Sequence, residues 1–309
     1  MAKIFCLGEV VYDIFFNQNI PFDGRPGGAM LNSSISLGRT RLPVEFVSAI
    51  STDKVGQIVK DFLALNNVAI KYCCHLHETS TRLALAFFDS EKNAEYSFYR
   101  VPSPEKIIIP FPNPNAGDII LFGSFYGFKK EIRPGLIEFL KRANQNGAVV
   151  VYDPNFRKNH MKLLPGILPM IEENIALSNI VKFSSDDALN IFGSRSFNQF
   201  LHKIGDTQNK WFIYTQGPKQ VISSFYGKEQ KYDVSRVETK STVGAGDSFN
   251  AGIIYALYGK NLFLNQLSSL PNVAVDEIIQ SGIRFGSHVC CSFENYISQN
   301  FAQNLLSKK

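Results

Sequence analysis

The chain reads as an α/β protein, with a mainly parallel central sheet flanked by helices and a small antiparallel β element added to it. Three observations predict this. Short apolar runs such as Ile119–Phe122, Val149–Tyr152 and Ile180–Phe183 have the character of strands buried on both faces. Segments with apolar residues at helical spacing alternate with them, the order that builds a parallel sheet with helices on either side. Between Thr81 and Arg100 the alternation is broken by a hairpin pattern.

In order, Ile4–Val11 is the first strand, a continuous apolar run. Pro21–Gly28 reads as a loop from its Gly and Pro content. Ala29–Leu42 is helical, with small and apolar residues (Leu31, Ile35, Leu37, Gly38) at helical spacing. Val44–Ile50 is a strand, Val55–Asn66 a helix capped by Asp53, and Val68–Cys74 a short strand. Thr81–Asp89 and Ala94–Arg100 are two strands joined by the polar turn Ser90-Glu91-Lys92-Asn93, an insertion suited to covering a site. The alternation then resumes with a strand at Ile119–Phe122, a helix at Arg133–Asn146, a strand at Val149–Tyr152 and a helix at Leu168–Leu177. Ile180–Phe183, the helix Asp186–Phe192 and the strand Trp211–Thr215 follow, then a hairpin of Val221–Tyr226 and Tyr232–Val234. A helix opens near Asp247, and Val273–Cys290 is helical. The expected organisation is one domain over residues 1–309, with the small β element formed mainly by about 10–25 and 79–102.

Composition narrows the function classes. A chain of 309 residues, 45% hydrophobic and 19% charged, buries one large core. Its net charge of +5 is spread out, without a block of like charges, so no nucleic-acid or membrane-surface partner is expected. No signal peptide is expected at the start, and no run approaches the roughly 18–20 apolar residues of a membrane span. The five cysteines include two adjacent pairs and no C-x-x-C, so neither a zinc site nor a disulfide framework is expected. Reduced thiols in a cytoplasmic protein fit better.

The most informative segment is Ser241-Thr242-Val243-Gly244-Ala245-Gly246-Asp247-Ser248-Phe249-Asn250. Small residues precede a carboxylate and an apolar run follows, which reads as a tight loop opening a helix. Such a loop presents main-chain N–H groups at the positive end of a helix, an anion site. Asp247 then stands where a base would take the proton of an alcohol attacking a bound phosphate. The plainer reading is a glycine-rich helix cap with Asp247 serving the helix dipole. Three other segments lie at strand ends, where ligands of α/β sheets bind: Gly8-Glu9-Val10-Val11-Tyr12-Asp13, Gly27-Gly28-Ala29-Met30-Leu31-Asn32 and Asp153-Pro154-Asn155-Phe156-Arg157. Taken singly, each is an ordinary turn or helix entry. His75 and His77 alternate as on a strand face, with only Glu78 beside them, so a metal site there is the weaker reading.

Taken together, this set and order of motifs resembles the ribokinase-like, or PfkB, family of carbohydrate kinases, from the first strand to about Gly252. Gly27-Gly28-Ala29 followed by Asn32, and Asp-Pro-Asn-x-Arg at Asp153–Arg157, are similar to its fructokinase branch. The resemblance implies a ribokinase-like three-layer fold with a β lid, and an ATP-dependent kinase acting on a sugar primary hydroxyl, D-fructose to fructose 6-phosphate first. Other acceptors (2-keto-3-deoxygluconate, ribose, another ketose, a nucleoside) and a non-catalytic sugar- or nucleotide-binding paralogue are the alternatives. It implies Asp247 as base and Gly244, Ala245 and Gly246 as the anion hole. Asp13, Gly27, Gly28 and Asn32 would bind the sugar, with Arg100 reaching it from the lid and Arg157 near the transferred phosphate. Thr215, Gly217, Ser184 and Asn250 would lie at the nucleotide. Mg2+ accompanies ATP, with Asp187 as an indirect candidate in Ser184-Ser185-Asp186-Asp187, where the family carries Asn-x-x-Glu. Asp186 and Asp187 read equally as first-turn helix residues. The signature here begins with Ser241 where the family often has Asp, which leaves K+ dependence open. The carboxy-terminal Gly-Ala of the family is missing after Ser292. A homodimer through the lid is also implied.

Overall fold

The computed structural model describes all residues except Met1, Gln18, Glu78, 89–93, 100–106, Asp206, Thr207, Lys308 and Lys309. The first third carries strands β1 (Ile4–Leu7), β2 (Val11–Asn17) and β3 (Ile20–Gly27), helix α1 (Ala29–Arg39), strands β4 (Val44–Val47) and β5 (Ala49–Ser51), and helix α2 (Lys54–Leu65). Strands β6 (Val68–Ala69), β7 (Cys74–Leu76), β8 (Leu83–Phe88), β9 (Ala94–Tyr99) and β10 (Ile119–Gly123) come next. Then follow α3 (Arg133–Gln145), β11 (Val149–Asp153), α4 (Leu164–Ala176), β12 (Ile180–Ser184), α5 (Ser185–Phe192) and α6 (Phe197–Ile204). The chain continues through β13 (Trp211–Thr215), β14 (Gln220–Phe225), β15 (Lys228–Asp233), α7 (Ala245–Gly259), α8 (Leu264–Leu267), α9 (Asn272–Cys290) and α10 (Gln299–Leu306).

The main sheet has nine strands in the order β15-β14-β13-β12-β11-β10-β1-β4-β6, parallel from β6 to β13 and antiparallel from β13 to β15. Alternation along its strands feeds two cores. Ile4, Cys6, Leu121, Val151 and Ile213 face α1, α7 and α9, whereas Phe5, Leu7, Ile120, Phe122, Val150 and Phe212 face α3, α4 and α5. This is the three-layer arrangement that the sequence predicts. A second sheet, β3-β2-β8-β9, stands beside it, and β5 pairs with β7.

Several expected elements differ. The first apolar run is two strands in two sheets: β1 stops at Leu7, and β2 leaves at Val11 for the small sheet. Both halves are apolar, so the run shows no break. Pro21–Gly28 is mostly strand, because β3 is an edge strand, where prolines are tolerated. The run at Val68–Cys74 divides into β6 and β7. Helix α4 starts at Leu164 with a proline in its first turn and carries Pro169 inside. The last hairpin strand is Lys228–Asp233, an exposed and largely charged edge without an apolar pattern. Helix α6, capped by Ser196 at 3.3 Å, was not anticipated. The turn of the 81–100 hairpin lies outside the described residues.

Helix α7 is held against α9 at a backbone-close crossing. A Cβ at Gly252 would stand 2.4 Å from the Ser281 carbonyl oxygen, and Ser281 Oγ donates to the Gly252 carbonyl at 2.8 Å. Gly252→Ala should therefore destabilise the protein by about 1–3 kcal/mol, the usual cost of overpacking. Urea denaturation followed through Trp211, the single tryptophan and fully buried, measures this.

Candidate active site

A cavity lies beyond the carboxyl ends of β1, β10 and β11, between the first turns of α1 and α7 and the small sheet. Strand ends supply Glu9, Ser124, Phe125, Asn155, Arg157 and His160; the small sheet supplies Val11, Asp13, Leu83, Tyr96 and Phe98. Helix starts supply Gly28, Asn32, Gly244 and Asp247. Ser124 (φ 52°) and Asn155 (φ 40°) hold left-handed backbone at the cavity wall, the kind of strain that collects at sites.

Gly244 (φ 78°) is the N-cap of α7 and offers no side chain to its first turn. A Cβ there would fall 2.0 Å from the Asn295 carbonyl oxygen, so the position requires glycine twice over. Asp247 follows in the first turn, buried, with Oδ2 accepting from Asn32 Nδ2 at 2.9 Å. Helix α1 is docked on this turn by polar contacts: Ser33 Oγ donates to the Asp247 carbonyl at 2.8 Å and the Ser36 and Ser248 hydroxyls meet at 3.2 Å. Asn32 Oδ1 is buried without a hydrogen-bond partner, an acceptor left for a ligand hydroxyl. Burial pushes the Asp247 carboxyl up to about 6, against the pull of Asn32 and Arg157.

Asp13 faces the same cavity from β2. A Cβ on Gly27 would stand 2.1 Å from its Oδ2, so the glycine makes room for this carboxylate. Burial pushes Asp13 up to about 7, with Arg25 opposing and Asp247 adding to the rise.

The floor is an ionic network. Asp153 Oδ2 accepts from buried Lys182 Nζ at 3.0 Å and from Asn250 Nδ2 at 2.7 Å. Asp187 Oδ1 accepts the Phe156 N–H at 2.6 Å, and its Oδ2 accepts the Ser184 N–H at 2.8 Å and Oγ at 2.5 Å. Asp187 thereby fixes the loop that carries Arg157. Burial works against the Lys182 ammonium, but Asp153 and Asp187 hold its pKa above the usual value. Beside this floor, Glu9 Oε1 receives Arg82 at 2.6 Å and Lys129 at 3.0 Å. Burial works against the charge, yet Lys129 and Arg82 bring Glu9 below its usual range.

The structure thus brings Asp13, Gly28, Asn32, Arg157, Gly244 and Asp247 to one cavity, with Gly27, Ala245 and Gly246 immediately behind. Ser184 and Asn250, expected at the nucleotide, direct their polar groups to Asp187 and Asp153. Both Asp187 oxygens are occupied within the protein, a structural use of the residue expected near magnesium. Thr215 pairs in register with Ser184, and Gly217 (φ 56°) follows it; both lie outside the cavity lining. Arg100 lies outside the described residues, as does Glu78 beside the exposed His75 and His77. Among the described residues no group of three His, Cys, Asp or Glu is placed to hold a metal ion. Arg82, Tyr96, Phe125, His160 and Lys182 were not singled out from sequence. They carry no motif, and only the topology gathers them.

Comparison with known proteins identifies the family. Residues 1–296 match the family model described as pfkB family carbohydrate kinase, and the chain belongs to that family. It is 30% identical over 284 residues to a fructokinase of Rhizobium leguminosarum bv. trifolii, covering 88% of this chain and 85% of the relative. A Vibrio alginolyticus fructokinase is 24% identical over 83% of this chain and 84% of its own. Among solved structures, the aminoimidazole riboside kinase of Salmonella enterica superposes with a TM-score of 0.85 at 19% identity, covering 99% of each chain. The Vibrio cholerae fructokinase in its fructose-, ADP- and calcium-bound form gives 0.85 at 18% identity, again over 99% of each. The fold is therefore ribokinase-like.

Two buried carboxyls with raised pKa make a stability prediction. Folding raises each above its ordinary value of 3.8, so the native state binds more protons than the unfolded chain. Their contribution is full below that value and is lost as pH rises through about 6 to 7. Asp13→Asn should therefore raise the melting temperature at alkaline pH, with the gain shrinking under acid conditions. Thermal unfolding of both proteins across pH measures the difference.

Proposed function

We propose that this carbohydrate kinase transfers the γ-phosphoryl group of ATP to the primary hydroxyl of D-fructose, giving fructose 6-phosphate. The observation that carries the reading is Asp247: a buried carboxylate at the first turn of α7, one turn from an uncapped glycine start and facing Asp13 and Arg157. Asp13 and Asn32 Oδ1 accept hydroxyls of the sugar and fix its orientation. Asp247 takes the hydroxyl proton as the oxygen bonds to the γ-phosphorus; the bond from that phosphorus to the β,γ-bridging oxygen breaks, and ADP leaves. The first-turn amides of α7 and Arg157 stabilise the charge on the transferring group. The small sheet acts as a lid that excludes water from the phosphoryl group. Magnesium, carried on the ATP phosphates, supplies charge neutralisation when bound. Asp153 and Asp187 spend their oxygens on protein partners, so the ion would be held by the phosphates rather than by a cluster of protein carboxylates. We place the enzyme in the cytoplasm, its five cysteines all unpaired.

A second reading changes only the acceptor. His160 is ringed by Phe125, Phe156 and Phe98 at centroid distances of 4.9, 6.2 and 6.5 Å. This aromatic wall suits a planar base on a riboside as well as the apolar face of a hexose. An ADP-release assay with Mg-ATP against fructose, ribose, 2-keto-3-deoxygluconate and a nucleoside separates the two. Turnover confined to fructose supports the first reading; turnover confined to the riboside transfers it to the second. Asp247→Asn should retain the fold and lose about 10²–10⁴-fold in turnover. Turnover near the parent's would remove Asp247 as the base.

We further propose a homodimer through the lid. On the face of the small sheet opposite Asp13, the side chains of Tyr12, Ile14, Phe16, Leu85 and Phe87 are only half-buried, and Phe16 stacks on Phe87 at 4.7 Å. Such a face wants cover. Sedimentation at micromolar protein should show a dimer, and Leu85→Glu a monomer; a monomeric parent rejects the assembly.

A further inference from the structure

The segment Ser292–Ser298 joins α9 to α10, yet it is tied to the site far more firmly than a connection needs. Arg25 of β3 donates from Nη1 to the Phe293 carbonyl at 2.8 Å. Arg39 of α1 donates from Nη1 to the Ile297 carbonyl at 2.6 Å and to Glu294 Oε2 at 2.7 Å, and lies over the Tyr296 ring at 4.6 Å. Ser36 Oγ accepts the Ile297 N–H at 3.3 Å. Those anchors belong to the two elements that carry Gly27 and Asn32. At the centre of the segment is Asn295, which is completely buried. Its Nδ2 donates to Asp13 Oδ2 at 3.2 Å, and its carbonyl oxygen occupies the space that a Cβ on Gly244 would need. Its Oδ1 is buried without a hydrogen-bond partner. A leucine would fill the same space with no such penalty, so packing alone does not account for the amide.

We propose that Asn295 is a positioning residue that sets both halves of the site: its amide holds Asp13 in the geometry that binds the acceptor, and its main chain seats the anion-binding turn at Gly244. The inference rests on the kinase reading given above. A neutral donor suits this place. Arg25 from β3, Arg157 from the loop after β11, Asp247 from α7, Tyr96 from β9 and Tyr296 from the segment itself also face Asp13. A further cation would lock the carboxylate in an ion pair and compete with sugar hydroxyls. A carboxylate would repel it. An amide favours the ionised, hydroxyl-accepting form and leaves the remaining lone pairs to the ligand.

The test compares Asn295→Leu, Asn295→Asp and Asn295→Gln with the parent in steady-state kinetics across pH, beside a carboxyl carbon NMR titration of Asp13 assigned through Asp13→Asn. Asn295→Leu should raise the acceptor KM about tenfold, the scale of one hydrogen bond to a charged group, while the ATP KM stays within about twofold. Its acid limb of kcat/KM and the Asp13 titration should both move to higher pH. Asn295→Asp should be worse at alkaline pH and recover as the pH falls, and Asn295→Gln should restore part of the loss. An unchanged acceptor KM and an unchanged Asp13 titration in Asn295→Leu overturn the proposal. So does an equal loss in acceptor and ATP terms with a lowered melting temperature and no shift in either titration, the mark of a purely structural residue. If the parent turns over no acceptor, the kinase reading falls, and the Asp13 titration still decides whether Asn295 controls that carboxylate.

Discussion

The structure is organised around the burial of negative charge at the start of α7. Asp13, Asp153, Asp187 and Asp247 are all buried near one helix N-terminus, with Lys182 as the buried ammonium among them. Buried carboxylates are costly unless they are hydrogen-bonded or paired. Much of the surrounding sequence satisfies that requirement: Asn32 on Asp247, Asn250 and Lys182 on Asp153, Ser184 and the Phe156 amide on Asp187, Asn295 on Asp13. The two aspartates that face the cavity, Asp13 and Asp247, each accept one side-chain amide hydrogen bond, whereas Asp153 and Asp187 of the floor accept several each. That division separates groups that can exchange protons and hydroxyl contacts with a ligand from groups that hold the frame.

The sheet makes this concentration possible. Strands β1, β10, β11 and β12 run parallel, so their carboxyl ends open onto one edge and each following loop delivers its residues there. Helix α7 packs across α1 through serines rather than bulky apolar side chains, which brings the Asp247 turn to within one hydrogen bond of Asn32. The glycine crossing with α9 then fixes α7 from the other side. The same arrangement explains why α1 buries the polar residues Asn32, Ser33 and Ser36 on a helix that otherwise faces the core.

Much of this was legible in the sequence wherever local chemistry and function coincide. The strand–helix alternation identified the parallel sheet, because strands buried on both faces are apolar throughout. Gly244, Asp247, Asp13 and Asn32 were legible because glycines beside polar residues at strand ends have a local signature. Elements with no local signature were missed. The split of Ile4–Val11 between two sheets is decided by which strands pair, and both options bury apolar side chains equally well. Strand β15 is polar because it is an edge, and β3 carries prolines for the same reason. Lys182 sits in a strand that reads as apolar, and its burial is explained only by aspartates from two other elements. The tie between Asn295 and Asp13 spans nearly the whole chain and leaves no spacing to read.

The C-terminal segment extends this logic from stability to control. Asp13 belongs to the small sheet and Gly244 to the main body, so the proposed acceptor and phosphoryl sites lie on different parts of the fold. Asn295 touches both, and Arg25 and Arg39 bind its flanks to β3 and α1. On the proposed reading, such a connection sets the distance between the carboxylate that would bind the acceptor and the turn that would bind the phosphoryl group. Phosphoryl transfer depends on that distance more than on any single contact, because its catalysis is positioning and electrostatics. A residue far from the chemistry in sequence can therefore govern the reaction, provided that its main chain and its side chain reach the two groups whose separation matters.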